Sequence, residues 1–149
     1  MWPQKLRSNF LEELISMKDR SMVQTVALAF GAIYLAVAIL GLLPFLGGSY
    51  TQSINNLLGI FPINLVHNIV HGVIGIAGIA AAASLARSRM FCQVFGVVLL
   101  ALGVVGIFLN NPLGLVPIGG VDIGLHLVTG AVLAYFGFAP AAEPRRAAA

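Results

Sequence analysis

Residues 63–78, INLVHNIVHGVIGIAG, decide the fold. The run is apolar enough to enter a bilayer, yet it carries His67 and His71 four residues apart, with Asn64 and Asn68 beside them. Steps of four, three and four from His71 reach Gly75, Gly78 and Ala82. Such steps keep side chains on one helical face. The predicted helix therefore has a polar end followed by a stripe of very small residues. Residues 121–130, VDIGLHLVTG, repeat the theme with Asp122, His126 and Gly130.

The rest of the chain is of the same character. It is 59% hydrophobic and only 9% charged, with a mean hydropathy of +0.98. A soluble domain has about 45–50% apolar and about 25% charged residues. Water does not solvate such a surface, so an integral membrane protein embedded in the lipid bilayer is the expectation, folded as one domain at this length. The net charge of +3 does not point to nucleic acid, because the few cations flank apolar runs, where they set topology. The single cysteine, Cys92, excludes an internal disulfide and reads as a packing residue near a helix end. The N-terminus is not a secretory signal, since Glu12, Glu13 and Asp19 precede an apolar run longer than an h-region.

In chain order, residues 1–21 hold a short amphipathic helix with Leu6, Phe10, Leu14 and Met17 on one stripe and a capping box of Asn9 and Glu12. It would lie on the cytoplasmic membrane surface or dock a partner. Four spans follow, at about residues 22–46, 63–85, 90–109 and 121–139, each suited to a hydrocarbon core of about 30 Å. Tyr34 lies deep in the first and needs a hydrogen-bond partner. Pro44 and Gly47–Gly48 end that span, a loop over residues 49–61 follows, and Pro62 leads into the second span. Arg87 and Arg89 mark a tight turn, Asn110, Asn111 and Pro112 break the third span, and residues 140–149 form a disordered tail. The predicted architecture is all-α, a four-helix membrane bundle.

All eight Lys and Arg lie in the N-terminal segment, the middle turn or the tail. The other two loops have none, so both termini and the middle turn are expected on the cytoplasmic side. Those two loops also carry a repeat. Residues 55–63, NNLLGIFPI, and 110–118, NNPLGLVPI, match at six of nine positions, at an offset of 55. The same offset carries His71 onto His126, Gly75 onto Gly130 and His67 onto Asp122. In the preceding spans, Phe30–Gly31 falls on Phe95–Gly96, and Gly41 on Gly106, at an offset of 65. The expectation is two duplicated helical hairpins, parallel about an axis along the membrane normal. His71 and His126 then approach each other, with His67 and Asp122 nearer the non-cytoplasmic boundary.

The segments NLVHNIVHGVIG, after a proline, and GGVDIGLHLVTG resemble those of a bacterial family of four-helix membrane proteins known only as a domain of unknown function. The resemblance runs from about residue 23 to 138 and implies a multi-pass topology in a bacterial membrane. It brings no activity with it.

Ionisable groups inside a membrane mark function by default. The plainest reading is a polar clamp: Asp122 pairs with His126 on its own helix or His67 across the pseudo-axis, and small residues let the helices close up. In that reading the protein has no catalytic residues and serves as an accessory or assembly subunit among other membrane protein subunits. The alternative is a haem or chlorophyll-type tetrapyrrole with His71 and His126 as axial ligands, and with Gly75 and Gly130 leaving room for the macrocycle. A metal site of His67, His71 and Asp122 or His126 lacks the four ligands of a closed zinc centre, so none is assigned from the sequence. No Ser–His–Asp, Cys–His, paired-carboxylate or phosphate-loop pattern is legible.

Overall fold

Small polar residues decide where three of the four long helices start. The computed structural model describes residues 4–8, 20–109, 111 and 114–140. Ser21 caps helix α1 (Met22–Leu40) through a capping box: its side chain accepts from the Gln24 amide, and Gln24 returns to the Ser21 amide. Asn64 caps α2 (Leu65–Ala81) by accepting from His67 N at 2.9 Å. Ser84 caps α3 (Leu85–Phe108). Helix α4 (Val121–Phe138) starts after Gly120 with Asp122 in its first turn, where a carboxylate favours the positive end of the helix dipole.

These caps move the boundaries that apolar runs alone predict. The first span stops at Leu40, because the chain turns at Gly41 and enters a short 3-10 helix, Pro44–Leu46. The second covers Leu65–Ala81 rather than residues 63–85, since Asn64 opens it and a turn at residues 82–84 closes it. Ser84 starts α3 five residues earlier than expected. Arg87 and Arg89 therefore lie in the first turns of α3 and not in the connection itself. The predicted loop of residues 49–61 contains structure too: β1 (Asn55–Leu57) pairs antiparallel with β2 (Phe61–Ile63), with Asn56 opposite Pro62. Pro62 thus sits in a strand ahead of the helix. Apart from this two-stranded ribbon, the regular structure of the described residues is helical. The Asn9–Glu12 cap, Phe10, Leu14, Met17, Asn110, Pro112 and residues 141–149 lie outside the described residues.

Three helices, α1, α3 and α4, are long and apolar enough to cross a membrane. Helix α2 is apolar but has 17 residues, a rise of about 26 Å at 1.5 Å per residue.

Packing is closest within two helix pairs, α1 with α2 and α3 with α4. Glycines make this possible. A β-carbon on Gly31 would stand 2.6 Å from Ile79 N, and one on Gly96 would stand 2.5 Å from Ala134 N. The buried core mixes small, aliphatic and aromatic side chains, including Ala27, Tyr34, Ile74, Cys92, Leu99 and Leu133. Ile33, Val73, Ile76, Val97, Val104 and Val128 point outward and are exposed. Cys92 is fully buried inside α3.

Candidate functional site

Both connections opposite the arginine-bearing turn lead directly into the polar residues. His67 is the third residue of α2, and His71 follows one turn later on the same face. His126 occupies the second turn of α4. All three are buried, as are Asn64, Asn68 and Asp122. One ring nitrogen from each histidine lies within 4.8 Å of the other two. The approach of His71 to His126 expected from the repeat is present, with His67 as a third member.

The closest contact joins His67 Nε2 and His71 Nε2 at 3.2 Å. One ring must donate and the other accept, so the two are opposite tautomers. Tyr34 packs edge-on to His71, with ring centroids 5.0 Å apart. Its hydroxyl finds Thr129 Oγ1 at 3.4 Å, which answers the expectation that this phenol needs a partner. His126 Nδ1 meets the Asp122 carbonyl oxygen at 2.8 Å and the Asp122 carboxylate at 3.4 Å. The intrahelical Asp122–His126 pair is therefore formed. His67 does not reach across to Asp122; it faces His71, which lies one turn away on its own helix.

Some polar atoms here lack partners. His71 Nδ1 and Asp122 Oδ2 are buried and make no hydrogen bond, whereas the His67 ring has the Pro62 and Pro117 carbonyls beside it. Buried polar groups are nearly always paired. Among the described residues, no lysine or arginine pairs with Asp122. Arg20, Arg87 and Arg89 belong to the other end of the helices, where Arg89 hydrogen-bonds the Ala139 carbonyl.

The three histidines and Asp122 line one side of a cavity of about 210 Å³. Apolar side chains, among them Val37, Leu57 and Phe61, line the rest, and the exposed Ile33 and Leu125 border its open edge. Drug-sized ligands occupy pockets of about 300–1,000 Å³, so this space suits an ion, waters or a very small molecule.

The remaining candidates are structural. Asn64 Nδ2 donates to the Leu115 carbonyl at 2.8 Å and so ties α2 to the loop before α4. Asn68 Nδ2 donates to the carbonyls of Gly41 and Ser49, both at 2.8 Å. Gly75 and Gly130 lie in helix contacts: β-carbons there would stand 2.6 Å from Leu35 N and 2.7 Å from Leu100 N. The room beside both glycines is taken by backbone. The sequence reading missed Leu57 and Phe61 as cavity walls, because three-residue strands are too short to show a period.

No curated protein and no solved structure matches the chain. Over residues 24–139 it matches the family described as a domain of unknown function, DUF4383, and the chain belongs to that family.

Proposed function

We propose that this is a multi-pass bacterial membrane protein of four spans, with both termini cytoplasmic, that serves as an accessory or assembly subunit of a membrane complex. The observation that carries the reading is the outward apolar face borne by every helix, from Ile33 on α1 to Val128 on α4. Such a surface is stable only against lipid or other apolar helices. Helix α2, though short, is included as a span because it is as apolar outside as its neighbours and returns the chain to the arginine-bearing end.

The same reading takes the two helix pairs as copies of one hairpin. Its support is that equivalent contacts recur at the sequence offsets: Gly31 against Ile79 matches Gly96 against Ala134, and Gly75 against Leu35 matches Gly130 against Leu100. Ile63 and Ile118, equivalent in the loop repeat, are both buried.

Extraction of the native protein in several mild detergents tests the subunit role. A stoichiometric membrane partner is the expected result, and a lone species in every detergent overturns it. A tetrapyrrole on His71 and His126 is the second reading, favoured by the closeness of the two imidazoles and opposed by the filled space beside Gly75 and Gly130. A Soret band in protein from cofactor-replete cells supports it, and a colourless preparation rules against it.

A further inference from the structure

We infer that His67, His71 and His126 form a site for one borderline transition-metal dication of the zinc type, with Asp122 orienting His126 and the fourth coordination position facing the cavity. This rests on the histidine geometry alone and holds whether or not the protein is a subunit of a complex.

Three observations converge on it. The first is spacing. Histidines at i and i+4 on one helical face are a known zinc-binding arrangement. Two nitrogens bound at about 2.0–2.1 Å to a tetrahedral metal lie about 3.3–3.4 Å apart. His67 Nε2 and His71 Nε2 are 3.2 Å apart, so an ion can sit between them with little change in either ring. His126 supplies the third nitrogen, within 4.8 Å of the others, and an ångström-scale swing of its ring completes the set.

The second is the hydrogen-bond pattern. A metal-bound histidine commonly donates its other ring N–H to a carboxylate or carbonyl, which sets the tautomer. His126 Nδ1 meets both kinds of acceptor on Asp122. Its Nε2 is then left unprotonated as the ligand atom.

The third is charge. Without an ion, His67 and His71 must adopt opposite tautomers to share their 3.2 Å contact. A cation makes both rings Nε2 ligands of the same tautomer and supplies a positive charge close to the buried Asp122 carboxylate, whose Oδ2 is unpaired. Imidazole ligands suit zinc, copper, iron and nickel rather than magnesium or calcium. Three imidazoles with an open position are the ligand number of an exchangeable zinc site, in contrast to the four ligands of a closed structural one.

The experiment uses the full chain in detergent, stripped with a chelator, then titrated with Zn²⁺ and, as a coloured substitute, Co²⁺. About one Zn²⁺ per chain is expected, with Co²⁺ giving the visible bands of a low-coordinate nitrogen site. His71→Ala should abolish stoichiometric binding. Asp122→Asn should weaken it by about 10–100-fold, as loss of a histidine-orienting partner does. No bound metal in the wild type, or unchanged stoichiometry in a His67→Ala/His71→Ala variant, overturns the site. Should the variants fail to fold, X-ray absorption on the zinc-loaded wild type decides: three imidazole nitrogens in the first shell support the site, and fewer overturn it.

Discussion

Gly75 lies against the backbone of Leu35, so near that a β-carbon would stand 2.6 Å from the Leu35 amide nitrogen. Backbone cannot yield as a side chain can. Gly75→Leu should therefore destabilise the protein by at least about 1–3 kcal/mol, the usual range for overpacking. Gly130→Leu should act alike through Leu100, whose amide nitrogen is 2.7 Å from the same position. Gly124, on the exposed face of α4, has no neighbour within 4 Å of such a carbon. Gly124→Ala should be neutral or stabilising by up to about 1 kcal/mol. Thermal unfolding in detergent separates the three.

Asn68 holds the end of α1 and the following loop to α2 through its two donor contacts, to Gly41 O and Ser49 O. The Gly41 carbonyl keeps the Ser49 amide as a second donor, whereas Ser49 O has no comparable replacement. Asn68→Ala should cost about 1–3 kcal/mol, the range for a stranded buried polar group. Asn68→Asp turns the donor into an acceptor against two carbonyls and should cost at least as much. Stability curves of the two variants, measured side by side, check the order.

Leu58 has a φ of 53° at the tip of the β1–β2 ribbon, and its side chain is exposed. A left-handed backbone costs a residue with a β-carbon roughly 1–2 kcal/mol. Leu58→Gly or Leu58→Asn should raise stability by up to about 1 kcal/mol while leaving the histidine cluster undisturbed. A fall in melting temperature for both would mean that the Leu58 side chain has a packing role.

Cys92 is fully buried in α3, so thiol reagents should leave the folded wild type unlabelled. That makes Cys92→Ala a clean background for mapping sidedness. A cysteine at Ile60, exposed in the ribbon turn, should react with an impermeant maleimide added from outside intact cells. A cysteine at Arg87 should react only once the membrane is opened. The reverse pattern would invert the proposed orientation.

Where the sequence was legible, one physical signal dominated. Long apolar runs located the helices, and the face shared by His67, His71 and Gly75 held, because a helix carries a fixed period from one residue to the next. The offset of 55 led to the expectation that His71 and His126 approach each other, and their ring nitrogens lie within 4.8 Å. What escaped was local chemistry that overrides hydrophobicity. Single polar side chains, on Asn64 and Ser84, moved helix starts by two and five residues. The ribbon at Asn55–Ile63 has too few residues to alternate visibly. His67 looked free to cross to Asp122, but only coordinates reveal that His71, one turn away, is the nearer partner.

The seventeen residues of α2 leave one flank of the molecule short. A hydrophobic stretch below the local hydrocarbon thickness is accommodated by thinning of the surrounding lipid or by flanking residues reaching to the head groups. Beside α2 the shortfall is about 4 Å against a core of about 30 Å. Its first turn carries His67, so with α2 placed as a span, thinning at that end would bring the aqueous phase toward the imidazoles. The cavity, already bordered by exposed side chains such as Ile33 and Leu58, would then open to a hydrated ion along α2 as well.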